Sequence, residues 1–365
     1  MKVIIGMSGG VDSSVAALLL KERGYEVEGA SLLMFETEKG GGGRSCCSLQ
    51  GIAQAARTAE ALGIAHTMID ARDVFIEKVI GPFAAAYSRG LTPNPCILCN
   101  RHVKIPLLIE AADRKGADFI ATGHYARIGR EGEAAVLMEA ADRKKDQSYV
   151  LYAQKKKELQ RLLLPLGELA KPEVRRLARE AGLPVFDRPE SQEICFARGD
   201  DYMEIVKALA PACVSEGPIL DDAGKRIGTH YGISGYTIGQ RKRLGIRTAP
   251  GGPAPEPKYV YRIDASANAV YAGRREKALG RLVETEDVNW LLEGRRRMDR
   301  FLAGVKVRSM MRPALAAVRP SGPPSGPYSA TVEFERPQWA PAPGQSAVFY
   351  DGQTVIGGGA IKAWK

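Results

Sequence analysis

The residues Val3-Ile4-Ile5-Gly6-Met7 form an almost unbroken apolar run. A run of that length without polar alternation suits a parallel strand covered on both faces. A glycine-rich stretch follows. Over Ser13–Arg23 the apolar residues Val15, Leu18 and Leu19 fall on one helical face, and Gly24 supplies the stop. The alternation then repeats. Val27–Phe35 and Ala65–Ile69 read as strands, and the alanine-rich stretch Leu49–Leu62, closed by Gly63, reads as a helix. Val74–Ser88 is helical in pattern but contains Gly81-Pro82, which predicts a break. Arg101–Lys115 predicts a helix kinked early at Pro106, and Asp118–Thr122 a strand ending in Gly123-His124. Strands that alternate with helices predict an α/β domain with a parallel sheet. Ligands on such sheets bind beyond the carboxyl ends of the strands.

The pattern changes in the second half. Lys171–Ala181 predicts a helix, with Pro172 in its first turn and Gly182 as its stop, and Asp201–Ala210 predicts one more. Thereafter glycine and proline become frequent. Short strands are expected at 258–263, 269–271, 304–308, 329–334, 346–350 and 354–356, with a hairpin turn at Asp351-Gly352. These predict a small β-barrel or sandwich. Lys39–Arg44 and Gly90–Asn100 read as loops, and 249–257 and 319–327 as a linker and a long loop. The expected division is 1–200, 201–276 and 277–365.

Composition narrows the class. The 365 residues are 45% hydrophobic and 26% charged, ordinary for a globular chain. Lys and Arg number 52 against 42 Asp and Glu, a net charge of +10 that favours a polyanionic partner. No apolar run approaches the ~18–20 residues that span a bilayer. The amino-terminal segment lacks the features of a secretory signal. A cytoplasmic protein with no membrane partner is expected. The six cysteines, at 46, 47, 96, 99, 195 and 213, are too few for a disulfide scaffold. Cys96 and Cys99 instead suggest redox, metal or nucleophilic chemistry.

The stretch Gly6-Met7-Ser8-Gly9-Gly10-Val11-Asp12-Ser13 lies between the first strand and the first helix. Glycines there let backbone N–H groups approach phosphate oxygens, and the helix end adds unpaired donors and a positive dipole. The spacing fits neither the GxxxxGK[ST] loop nor the GxGxxG fingerprint. Ser8–Ser13 resembles the pyrophosphate loop of the ATP pyrophosphatase superfamily, whose members split ATP between the α and β phosphates.

Thr92-Pro93-Asn94-Pro95-Cys96-Ile97-Leu98-Cys99-Asn100 and Ser191-Gln192-Glu193-Ile194-Cys195-Phe196 resemble the cysteine motifs of the bacterial tRNA-specific 2-thiouridylase family. Further segments match in order: Gly123-His124-Tyr125, 145–149, 237–242 and 343–350. The fold this implies is an adenine nucleotide hydrolase-like, Rossmann-like parallel-sheet domain, a small central domain and a C-terminal β-barrel. By the same resemblance Cys99 is the nucleophile and Cys195 the persulfide carrier. Gly6, Met7, Ser8, Gly9, Gly10, Val11, Asp12, Ser13, Leu32 and Gly123 are implied to hold ATP with Mg²⁺. Asn94, Pro95 and Cys96 are implied to meet the target base. His124, Lys145, Asp146, Gln147, Arg308, Ser309 and Gln345 are implied to contact tRNA. A sulfur donor, such as a cysteine desulfurase or a sulfur-relay protein, is an implied partner.

Cys96 departs from the family, whose other members carry Asp there. The departure leaves a second chemistry open, in which Cys96, Cys99 and Cys195 hold a [4Fe–4S] cluster with one iron free to bind sulfide. A zinc site is not expected, because a second Cys-x-x-Cys is missing. Two other classes also stand open: a different pyrophosphate-loop ligase, such as GMP synthetase, and a non-catalytic iron–sulfur RNA-binding protein. Basic runs at 240–243, 274–277, 294–297 and 306–308 suit phosphate contacts along an RNA. A stacked base hides its C2 oxygen, so the target uridine should be extruded into a pocket.

Overall fold

A computed structural model of the chain describes residues 1–35, 49–132, 134–188, 195–196, 201–245, 256–323 and 326–365. The expected loop at Lys39–Arg44, Cys46, Cys47, Ser191–Ile194 and most of 249–257 lie outside these residues. The described chain divides into two compact units. One comprises 1–79, 95–198 and 352–355, and the other 80–94, 199–351 and 356–365.

The first unit is built on β1 (Lys2–Gly6), α1 (Val11–Glu22), β2 (Glu26–Leu33), α2 (Leu49–Leu62) and β3 (Ala65–Asp70). Next come a short α3 (Arg72–Phe75) and a π-helical turn (Ile76–Ile80), which leads in sequence to α4 (Gly81–Ser88). The chain then forms α5 (Pro95–Cys99), a second π-helical turn (Asn100–Lys104), α6 (Ile105–Arg114) and β4 (Phe119–Ala121). A hairpin of β5 (Arg127–Glu131) and β6 (Ala134–Met138), helices α7 (Ser148–Leu151) and α8 (Lys156–Leu159), β7 (Leu162–Leu163) and α9 (Lys171–Glu180) complete it. The sheet order is β3-β2-β1-β4-β7, and every pair is parallel. The apolar run Val3-Ile4-Ile5 of β1, fully buried, fits a sheet covered on both faces. On one face Val15 and Leu20 of α1 and Val174 and Ala178 of α9 share a core with Val3 and Ile5. On the other, a Cβ on Gly6 would come within 3.0 Å of Leu108 in α6.

From β1 the chain runs outward through β2 to β3, then returns to lay β4 on the opposite side of β1. The crevice opens where the order reverses, beyond the carboxyl ends of β1 and β4. The glycine-rich loop and Thr122–His124 both leave the sheet at that crevice.

The second unit begins with α4 and continues with α10 (Asp201–Leu209), β8 (Gly217–Leu220) and β9 (Arg226–His230). β10 (Tyr259–Asp264) and β11 (Ala269–Gly273) join them in a four-stranded sheet of order β10-β11-β8-β9. A short α11 (Glu293–Arg296) follows β12 (Leu279–Trp290). β13 (Phe301–Lys306), β14 (Ala314–Ser321), β15 (Ser329–Trp339), β16 (Ser346–Asp351) and β17 (Thr354–Trp364) come next. Their order is β12-β15-β14-β13-β16-β17, and β17 pairs back on β12, so the sheet closes into a barrel. Trp290, Phe301, Phe334 and Phe349 fill it. The hairpin expected at Asp351-Gly352 is present, with Gly352 at φ +56°.

Several expectations need correction. Pro95–Cys99 is a helix, not part of a loop: Pro95 occupies its first turn, where a missing N–H costs nothing. The break at Gly81-Pro82 and the kink at Pro106 are each accommodated by a π-helical turn just before the proline. Strands β5, β6, β7, β8, β9, β12 and β14 were not legible. β14 takes in Arg319-Pro320-Ser321, read from the sequence as loop, because Pro320 sits near the strand end opposite Ala330.

Candidate active site

Beyond β1 and β4 lies a cavity of about 190 Å³. The loop after β1 lines it with Gly6, Met7, Ser8, Asp12 and Ser13, and β2 adds Ala30, Leu32 and the following Met34. Thr122, Gly123 and His124 after β4, Lys104 from the π-helical turn and Gln147 close the rest. Leu32 and Gly123 therefore share one cavity with the loop. Gly9, Gly10 and Val11 turn the loop behind it.

The loop is locked from within. Ser13 and Ser14 both donate their hydroxyls to the Gly10 carbonyl, at 3.1 and 2.9 Å. Ser13 Oγ also accepts from Ser8 N at 3.1 Å. Two of these hydroxyls are thus spent on the loop itself, and Ser14 is fully buried. Gly9 sits at φ +68°, and a Cβ there would lie 2.2 Å from Gly51 O. A Cβ on Gly123 would meet Ser13 N at 2.7 Å. Glycine at 123 thus lets the end of β4 close against the first turn of α1.

Asp12 stands in that first turn, where a carboxylate favours the helix dipole. Its Oδ1 accepts from Lys171 Nζ at 2.6 Å and from Tyr125 OH at 2.8 Å. Lys171 is buried and its ammonium also lies over the Tyr125 ring. Arg188 donates to the Gly9 carbonyl at 2.6 Å. Lys104, Lys171 and Arg188 thus bring positive charge to the loop from three distant parts of the chain. Sequence reasoning missed all three. The one signal was Lys171-Pro172, read only as a helix start.

His124 is buried on the cavity wall with Nδ1 2.7 Å from Thr122 Oγ1. The Asp146 carboxylate is buried and accepts from Ala140 N, Ser148 N and Ser148 Oγ. Gln147 Oε1 accepts from Tyr125 N at 2.8 Å. Lys145 is half-buried beside them. In this unit the expected tRNA residues therefore largely brace the wall of the cavity.

Cys99 is buried, its sulfur 3.9 Å from that of Met34 on the cavity wall. Phe35, the next residue, stacks at 6.2 Å on Phe75, which meets Phe196 edge-on at 5.6 Å. A line of side chains therefore joins the Cys99 neighbourhood to the half-buried Cys195. Cys96 is exposed on the same short helix as Cys99. All three are thiols. Among the described residues no three His, Cys, Asp or Glu side chains gather so as to hold a metal ion. His102, three residues beyond Cys99, has its pKa lowered by burial and by the cations Arg101, Lys78 and Lys155.

In the second unit, Arg308 donates to Ile238 O at 2.8 Å and to Ala340 O, and Gln345 Nε2 donates to Thr92 O at 2.9 Å. Thr92 N donates to Pro343 O at 2.8 Å. These bonds gather the 92–94, 237–242 and 343–350 segments and fix the approach to Asn94, while Ser309 lies half-exposed beside Arg308. The expected basic runs divide. Lys306 is buried over the Tyr350 ring, so 306–308 is not a phosphate-facing patch. Arg275 and Arg296 stack on Trp339 and Tyr328. Arg241 and Lys242 are exposed.

Three family models match in succession: a tRNA methyl transferase HUP domain over residues 1–199, a tRNA methyl transferase PRC-barrel domain over 207–274, and an aminomethyltransferase beta-barrel domain over 281–361. The tRNA-specific 2-thiouridylase MnmA of Pelotomaculum thermopropionicum is 43% identical over 99% of this chain and 97% of its own length. That of Clostridium acetobutylicum is 42% identical over 99% of both chains. Solved structures are more distant. One of a 4-thiouridine synthetase–RNA complex with bound ATP is 16% identical, covers 57% of this chain and 50% of its own, and gives a TM-score of 0.34. With relatives above 40% identity along almost the whole chain, and with its motifs assembled around one cavity and its barrel segments, this chain belongs to the family of tRNA-specific 2-thiouridylases.

Proposed function

We propose that this chain is an ATP-dependent tRNA-uridine 2-sulfurtransferase, which replaces the C2 oxygen of a wobble uridine by sulfur. The observation that carries the reading is the sulfur of Cys99 packed on Met34, a wall residue of the cavity that the pyrophosphate-type loop lines. ATP enters as its magnesium complex. Its phosphates lie along Gly6–Ser13, where loop N–H groups and the end of α1 oppose their charge, and its adenine lies toward Leu32 and Gly123. Asn94, Pro95 and Cys96 meet the extruded base.

The C2 oxygen attacks the α-phosphorus, the α–β anhydride bond breaks, and pyrophosphate leaves with the bond's electron pair. Oxygen at C2 is a poor leaving group until this adenylylation converts it into AMP. The terminal sulfur of a Cys195 persulfide then attacks C2 and AMP departs. The Cys99 thiolate attacks the Cys195 sulfur, which releases the 2-thiouridine and leaves a Cys99–Cys195 disulfide. An external dithiol reduces that disulfide, and a sulfur-donor protein reloads Cys195. Alternatively Cys99 attacks the persulfide first, and the sulfide set free displaces AMP. Both routes use the same two cysteines. The three segments 1–200, 201–276 and 277–365 divide the work between ATP chemistry and tRNA holding. A cytoplasmic setting, where tRNA and reduced thiols coexist, fits this chemistry. No described helix is long and apolar enough to cross a membrane.

The test combines the full chain with ATP, a persulfide donor and unmodified tRNA, followed by mass spectrometry of the nucleosides. The expected product is 2-thiouridine, with AMP and pyrophosphate formed in step. Thiolation that proceeds without ATP would remove the reading. The net charge of +10 makes phosphate contacts the main source of tRNA affinity. The affinity should therefore fall steeply, with log K linear in log salt. Equal dissociation constants at low and physiological ionic strength would refute the electrostatic account.

A further inference from the structure

Asn100 follows Cys99 directly and opens the π-helical turn that continues α5. It is 2% exposed, and among the described residues its Oδ1 has no hydrogen-bond partner. A buried acceptor in this state carries a free-energy cost that a bound donor removes. Cys99 keeps helical dihedrals, so the chain passes from α5 into the turn without a break. Cys96, Asn100 and Lys104 therefore fall at successive four-residue steps along one helical face. Cys96 stands exposed at one end of that face, and Lys104 lines the nucleotide cavity at the other. Asn100 lies between them, beside the residue whose sulfur packs on Met34.

From this arrangement we propose that Asn100 selects uridine, its Oδ1 accepting the N3–H of the extruded base. The inference rests on the sulfurtransferase reading above and deepens it to the choice of base. An extruded base is read on its Watson–Crick edge. Uracil offers one donor there, N3–H, flanked by the acceptors O2 and O4, so an unpaired acceptor has one atom to bond. Cytosine carries a lone pair at N3, which repels Oδ1. N3 is bonded to C2, so a base held at N3 has its reacting carbonyl fixed one bond from the contact. An amide takes no proton at neutral pH. Asn100 therefore binds and orients the base and leaves proton transfer to other groups.

The test measures kcat/KM for ATP-dependent AMP formation on two otherwise identical tRNAs, one with uridine and one with 3-deazauridine at the wobble position. The analogue replaces N3–H by C–H and keeps the shape of the ring. On the parent chain it should lower kcat/KM by ~10–100-fold, the cost of one buried acceptor left unpaired. Asn100→Leu, of similar volume, should lose as much on the uridine tRNA and nothing further on the analogue, because the pair is already broken. Asn100→Ala should follow the same pattern, and both variants should bind ATP as the parent does. Equal fractional losses on the two tRNAs overturn the proposal, since a distorted helix does not distinguish the two bases. So does full activity of the variants on the uridine tRNA, and so does lost ATP binding, which would give Asn100 a structural role. A parent chain that forms no AMP on the uridine tRNA removes the sulfurtransferase reading and this inference with it. An active parent with unaffected variants removes the inference alone.

Discussion

Cys99→Ser and Cys195→Ser each reduce 2-thiouridine formation to background, while the ATP-dependent release of AMP and pyrophosphate on tRNA persists. In the proposed mechanism both sulfurs are required, because one carries the transferred atom and the other accepts or attacks it. A serine hydroxyl does neither at neutral pH. Neither substitution removes a side chain that lines the nucleotide cavity, so adenylylation survives. The measurement is a pair of assays on one sample, nucleoside mass spectrometry and AMP release. Substantial thiolation by either variant would overturn the two-cysteine mechanism. Cys96→Asp, which restores the family residue at an exposed position, should keep full thiolation. Its inactivity would mean that the Cys96 thiol itself takes part.

Lys171→Met lowers ATP affinity by about 100-fold. Lys171 Nζ and Asp12 Oδ1 lie 2.6 Å apart, with the lysine side chain 9% and the aspartate 34% exposed. Removing one partner of a fully buried pair costs ~3–5 kcal/mol. The partial exposure of Asp12 reduces that cost, and a hundredfold corresponds to about 2.7 kcal/mol. The unpaired carboxylate then faces the polyphosphate from the first turn of α1. Asp12→Asn combined with Lys171→Met removes both charges and should recover part of the affinity. Equilibrium binding of ATP separates the cases. Wild-type affinity in Lys171→Met, or no recovery in the double variant, would show that the ion pair does not govern the loop.

The parts of the site legible in the sequence are those made by neighbouring residues. The loop from Gly6 to Ser13 needs only a strand, a glycine turn and a helix start in succession, and the pattern carries all three. The helix Leu49–Leu62 is found at the expected bounds because alanine periodicity and Gly63 mark it locally. The cations around the loop were not legible, because Lys171 and Arg188 reach it from 159 and 179 positions away. No local pattern separates them from surface lysines and arginines. Barrel strands failed for another reason. The Ala-Leu-Ala-Ala core of β14 has low strand propensity, and the pairing of β13 and β15 on either side overrides it. The Cys99 helix was not legible because Gly90–Asn100 is rich in turn formers, and the helix, opened by Pro95, is only five residues long.

The π-helical turn at Asn100–Lys104 joins the helix bearing Cys99 to α6. Such a turn is in effect an α-helix with one residue inserted, and one residue is about 100° of rotation. The direction of the Cys99 thiol relative to α6 is therefore fixed by a count of residues, not by the identity of any one of them. A lineage that lost a single codon between Asn100 and Lys104 would gain a more regular helix and keep every residue of the proposed site, yet would aim the Cys99 thiol elsewhere. Alignments that tolerate a gap in this segment would score such a sequence as an intact enzyme. For this chain, the spacing from Cys99 to Pro106 is as much a part of the proposed site as the cysteine itself.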